Sequence, residues 1–110
     1  MTWSMETAKL FKALGDENRL YILSMLQHGE RCACVLLEHV NLSQPTLSHH
    51  MKILCETHLV TSRKEGKWVY YSLNRNKAGQ AEQALADLFQ EKEPISDAGR
   101  CQMEYPPETN

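Results

Sequence analysis

No run of apolar residues in this chain of 110 approaches the ~18 that a membrane helix needs, and nothing at its start resembles a signal peptide. A cytoplasmic protein with no membrane partner is therefore expected. There is no Gly-rich phosphate loop, no internal repeat and no low-complexity segment, so the common nucleotide-cradling signature is missing. Cys-x-x-Cys is missing too, and no acid or base is paired with a nucleophile. A thiol reductase or hydrolase is thus disfavoured, and the chain is not expected to be an enzyme. Nor is there an excess of positive charge: the formal net charge of -2 argues against indiscriminate affinity for nucleic acid.

The charge that is present is polarised along the chain. Residues 42–75 hold Lys52, Arg63, Lys64, Lys67 and Arg75 against Glu56 and Glu65, with His49, His50 and His58 besides. Residues 76–110 hold three cations against seven acids. A local basic patch on an acidic protein suits DNA binding that weakens with salt.

The centre of that patch is Ser43-Gln44-Pro45-Thr46-Leu47-Ser48-His49-His50-Met51-Lys52-Ile53-Leu54. Ser43 suits an N-cap and Pro45 suits a first helical turn, where the amides lack intrahelical partners. At helical spacing Leu47, His50 or Met51, Leu54 and Cys55 form an apolar stripe, and Thr46, His49, Lys52 and Ile53 fall opposite. One face packs and the other presents donors. Gln and Ser/Thr side chains near a helix start reach base edges and phosphates, and the helix N-terminus itself attracts phosphate. An ordinary amphipathic surface helix fits the same spacing.

Before this stretch, residues 5–14 read as a first helix, with Ala8, Phe11 and Leu14 on one face, Leu10 beside them, and Gly15 ending it. Asp16 caps a second, with Leu20, Leu23 and Met25 or Leu26 on the inner face, Ile22 alongside, and Gly29 stopping it. Val35, Leu36, Leu37 and Val40 make a short third helix. Helices three and four, joined by a few residues, match the helix-turn-helix pattern.

After His58 the period becomes alternating. Val60 to Lys64, Glu65-Gly66 and Lys67 to Leu73 read as a β-hairpin with Val69, Tyr71 and Leu73 inward and Trp68, Tyr70 and Ser72 outward. Its tip carries Arg63, Lys64 and Lys67, as a DNA-binding wing would. A fifth helix, from Asn76 to about Lys92, places Ala78, Ala81, Leu85, Leu88 and Phe89 on one face. It is expected to pack with the first helix across a two-fold axis, giving a homodimer that presents two reading heads. The expected fold is thus mainly α with a β-hairpin wing. Residues 1–92 form this domain, and 93–110 a flexible tail carrying Cys101.

Four cysteines, Cys32, Cys34, Cys55 and Cys101, are expected as reduced thiols, which favours metal binding or redox chemistry over a structural disulfide. With Cys32 in a loop and Cys34 in the first turn of the third helix, the two sulfurs can converge. The helix N-terminus and Arg31 favour thiolate, a ligand for soft ions. Two small buried hydrophobes are the competing explanation.

Three stretches, Glu30 to His39, Ser43 to Lys52 and Arg63 to Tyr71, together with Asp16-Glu17-Asn18-Arg19, closely resemble the ArsR/SmtB family, and within it the arsenical-resistance operon repressors. The likeness covers about residues 5–75. It implies a dimeric winged-helix repressor that holds operator double-stranded DNA when metal-free and leaves when As(III) or Sb(III) binds cysteine thiolates. By resemblance Cys32 and Cys34 are two ligands. Where some relatives carry a third cysteine this chain has Leu37, and where they carry an acid it has Val35. Trivalent arsenic prefers three thiolates. Cys101 is favoured as the third, because a tail can close on the site at modest loop cost. Cys55, which falls on a packing face, and an external thiol are the alternatives. A zinc site on the last helix is not expected, since that helix offers Asp87 and Glu91 but no histidine.

The DNA-contacting set is Ser43 as cap and phosphate contact, Gln44, Thr46, Ser48 and His49 toward bases and backbone, and Lys52, Arg63, Lys64 and Lys67 toward phosphates. A Cd(II), Pb(II), Zn(II) or thiol-redox sensor on the same fold is the alternative.

Overall fold

Two helices tied end to end start the chain. In the structure, a computed structural model describing residues 4–91, α1 (Met5–Leu14) starts at Ser4, whose hydroxyl accepts from the Thr7 amide. It buries Leu10 and Ala13 on one stripe. Gly15 closes it, and Asp16 at once caps α2 (Glu17–Met25), its carboxylate accepting from the amides of Asn18 at 2.8 Å and Arg19 at 3.1 Å. The inner face of α2 differs from expectation. Ile22 and Leu26 are fully buried and Leu20 is 51% exposed. Leu20, Tyr21, Ile22 and Leu23 are consecutive, so the helix has no single apolar stripe, and its inward face is decided by packing on α4 and α1.

A two-residue strand, β1 (Arg31–Cys32), leads into α3 (Ala33–His39), which sinks Leu36 into the core. A short turn reaches α4 (Gln44–Glu56), capped by Ser43 with Pro45 in its first turn. His58, at φ 66°, takes the left-handed conformation just past that helix. The hairpin follows as β2 (Val60–Glu65) and β3 (Trp68–Leu73), with Glu65 opposite Trp68 and Gly66 at φ 62° in the two-residue turn.

The expected two-stranded wing is in fact a three-stranded antiparallel sheet in the order β1-β3-β2. Arg31 pairs with Tyr71 and Cys32 with Tyr70. Two residues are too few for alternation to show, and the strand exists only because β3 offers an edge. Last comes α5 (Arg75–Phe89), one residue earlier than expected because Asn74 caps it through the Lys77 amide. It packs on α1 within the same chain. Of its apolar residues Ala81 is buried, while Leu85, Leu88 and Phe89 stay exposed.

Ile22, Leu26, Leu36, Met51, Leu54 and Val60 form the centre of one core shared by α2, α3, α4 and the sheet. The expected tail, 93–110, and Cys101 lie outside the described residues. Among the described residues no helix is long and apolar enough to cross a membrane.

Candidate thiol site and nucleic-acid interface

The two faces of α4 separate as its spacing demands. Leu47, His50, Met51 and Leu54 are buried, whereas Gln44, Thr46, Ser48, His49 and Lys52 are exposed. Ser43, also exposed, accepts from the Thr46 amide at 3.3 Å and donates to its hydroxyl at 2.9 Å. The first turn of α4 thus shows solvent a row of hydroxyl and amide groups on a helix end that attracts anions.

The position of α4 is fixed from behind by Arg19. Its Nε donates to the Ala13 carbonyl at 2.6 Å and its Nη1 to Nδ1 of His50 at 2.9 Å. A guanidinium only donates, so Nδ1 of His50 is the acceptor in this pair. Arg19 thereby joins the end of α1, the start of α2 and the middle of α4. Spacing alone gave no hint of this role, because it depends on a side chain crossing between helices. The only sign was the Asp16-Glu17-Asn18-Arg19 stretch.

In the wing, Arg63, Lys64 and Lys67 are all exposed, but they are not equivalent. Arg63 makes a two-pronged pair with Glu30, Nε to Oε2 at 2.7 Å and Nη2 to Oε1 at 2.8 Å, and lies 4.6 Å from the centre of the Tyr70 ring. The hydrogen bonds from Arg63 hold the Glu30 carboxyl below its ordinary range and reinforce the charge on Arg63. Expected as a phosphate contact, Arg63 is engaged within the fold. Lys67 rests 5.5 Å from the Trp68 ring centre. Among the described residues no ion pair ties Lys64 or Lys67.

The two thiols converge as the loop and first-turn placement requires. Cys32 is the N-cap of α3, its sulfur accepting from the Cys34 amide at 3.4 Å and from the Cys34 thiol at 2.8 Å. The thiol hydrogen bond first, then the backbone amides, push the Cys32 pKa down, and the same bond pushes Cys34 up. The two sulfurs thus share one hydrogen bond, in which Cys34 donates and Cys32 accepts. Arg31, expected to assist, instead donates to the Met25 carbonyl at 3.4 Å. Cys55 is half-buried on α4, and burial raises its pKa. It is a packing residue, as its helical position suggested.

A cleft of about 240 Å³ is lined by Cys32 and Cys34, by Gln44 and Ser48 of α4, and by Lys67 and Trp68 of the wing. The thiol pair thus borders one space with exposed side chains of α4 and the wing. A larger cavity of about 620 Å³, lined among others by Lys9, Arg19 and Glu56, shares no residue with it.

A buried three-helix core, a capped exposed reading helix and a basic hairpin beside it define a winged helix-turn-helix domain. A family profile described as bacterial regulatory protein, arsR family, matches residues 16–62. The arsenical resistance operon repressor of Bacillus subtilis (strain 168) is 39% identical over 84 residues, 74% of this chain and 80% of that one. The repressor of the same name from Staphylococcus aureus is 55% identical over 69 residues, 63% of this chain but only 66% of that protein's length. The crystal structure of an ArsR family transcriptional regulator superposes with a TM-score of 0.72 over 80% of this chain and 92% of that one, at 21% identity, a likeness of fold. The chain belongs to the arsR family of bacterial regulatory proteins. That family consists of DNA-binding transcriptional regulators, in agreement with the expectation that the chain is not an enzyme.

Proposed function

We propose that this protein is a cytoplasmic homodimeric repressor of an arsenical-resistance operon, which binds operator DNA without metal and releases it when As(III) or Sb(III) binds Cys32 and Cys34. The observation that carries this reading is the pair of sulfurs 2.8 Å apart at the cap of α3, in a cleft shared with Gln44, Ser48 and Lys67. Relatives named arsenical resistance operon repressors support the inducer. Soft thiolates suit a soft metalloid. Among the described residues no group of three or more His, Cys, Asp and Glu side chains gathers to hold an ion. In this reading the third sulfur is that of Cys101, in the tail 93–110 that follows the domain 1–92, or of an external thiol.

DNA is held by Ser43, Gln44, Thr46, Ser48 and His49 at the start of α4 and by Lys52, Lys64 and Lys67 toward phosphates, with Arg63 midway along the hairpin opposite Tyr70. The dimer forms through α1 and α5, whose Met5, Leu85, Leu88 and Phe89 are exposed apolar residues needing cover. Coordination requires both Cys32 and Cys34 to lose their protons and draws the cap of α3 toward the ion. Movement there carries α4 with it and misaligns the two reading heads against half-sites about one DNA turn apart.

X-ray absorption at the arsenic edge tests the ligand set directly. Three As–S bonds are expected in wild type, and fewer in Cys32→Ser, Cys34→Ser and Cys101→Ser. An unchanged count in Cys101→Ser assigns the third sulfur to an external thiol. Unchanged counts in Cys32→Ser and Cys34→Ser overturn the site. Tighter binding of Cd(II), Pb(II) or Zn(II), or release by oxidant alone, transfers the sensor role to another signal.

A further inference from the structure

Glu30, Cys32, Tyr70 and Arg63 close a ring made of chain, strand ladder and ion pair. Cys32 pairs with Tyr70 in one ladder and Tyr70 with Arg63 in the next, so these three residues stand in one row across the sheet. Glu30 precedes Cys32 by two residues and leads directly into β1. Its carboxylate then returns to Arg63 with both oxygens, at 2.7 and 2.8 Å, while the guanidinium lies 4.6 Å from the Tyr70 ring centre. Residues 30 and 63 are thirty-three positions apart, and the pair joins the thiol-bearing segment to the wing.

Both side chains are partly exposed, so as a stabiliser such a pair counts for little. Its geometry is another matter. A two-pronged guanidinium–carboxylate pair is directional and tolerates little sliding. If Cys32 shifts along β3, either the ring opens at Glu30–Arg63 or the wing moves with it.

We infer that Glu30 is a positioning residue for operator release: through Arg63 it locks the wing to the thiol segment, so that displacement of Cys32 reaches Lys64 and Lys67 as well as α4. The inference rests on the proposed inducer site at Cys32 and Cys34 and adds a second route from it to the DNA. The locked ring belongs to the DNA-binding arrangement, and inducer opens it. Arg63 then acts on DNA through the shape of the wing and not as a phosphate contact.

Glu30→Gln keeps the size of the side chain and removes its charge. Affinity for promoter DNA is measured with and without saturating arsenite, and arsenite binding is followed separately by thiolate-to-arsenic absorbance. Arsenite binding is expected to match wild type, while the ratio of the two DNA affinities falls ~5-fold or more, within the usual span of allosteric coupling. The exchanged pair Glu30→Arg with Arg63→Glu is expected to restore that ratio, whatever its absolute affinity. A Glu30 that merely repels DNA predicts a gain of affinity by the same factor in both states with the ratio unchanged, and that result overturns the lock. A ratio that stays low in the exchanged pair overturns it as well. If wild type itself keeps its DNA in arsenite, the inducer reading fails, and the coupling role of Glu30 with it. If wild type is released and Glu30→Gln is released equally, the lock alone fails.

Discussion

Nη1 of Arg19 lies 2.9 Å from Nδ1 of His50, a buried side chain on the reading helix, across 31 positions of sequence. Replacing Arg19 by Met leaves that ring nitrogen without its donor in a site water reaches poorly, and frees the Ala13 carbonyl. A buried polar group left unpaired is destabilising by ~1–3 kcal/mol. Urea unfolding of Arg19→Met is expected to show a loss of that size, with α4 losing amide-exchange protection before α5.

Asp16 starts α2 by accepting from the Asn18 and Arg19 amides. Asp16→Ala is expected to lower stability by ~0.5–2 kcal/mol, the usual range for a lost N-cap. The hydrogen bond from the Arg19 amide first, and then the Arg19 charge, hold the carboxyl below its ordinary 3.8. A depressed carboxyl stabilises fully above its unfolded pKa and loses that contribution as pH falls through the folded value. The gap between wild type and Asp16→Ala should therefore be constant near neutrality and narrow below about pH 4. A gap that widens in acid contradicts this role.

The hydrogen bond from the Cys34 thiol pushes the Cys32 pKa down, and burial pushes that of Cys55 up. Iodoacetamide followed by mass spectrometry is expected to modify Cys32 first and Cys55 last. The Cys32 rate should reach half its maximum below the ordinary thiol value of 9.0. Equal rates at Cys32 and Cys34 count against a shared proton.

Lys64 and Lys67 face solvent beside the reading helix. Alanine at either is expected to weaken binding to operator and random duplexes alike, reducing the slope of log affinity against log salt by ~1 per residue. Ser48→Ala, at a position expected to face bases, should weaken the operator more than the random duplex.

Much of this was legible from spacing and caps. Asp16 and Ser43 mark helix starts because their side chains satisfy orphan amides locally, and the alternation after His58 marks a hairpin. The paired thiols were legible because Cys32 and Cys34 straddle a helix start. What eluded the sequence depends on distant partners. The strand at Arg31–Cys32 is made by the edge of β3, the inner face of α2 by its neighbours, and the engagement of Arg63 by an acid thirty-three residues away. Local periodicity carries no record of such pairings.

The central claim is tested most directly by fluorescence anisotropy of a labelled promoter duplex with reduced protein, titrated with As(III). Wild type is expected to lose affinity by ~5–150-fold, the span of typical coupling. Cys32→Ser and Cys34→Ser should bind the duplex and stay bound. Release of those two variants by As(III), or a wild type that holds its DNA throughout, contradicts the account.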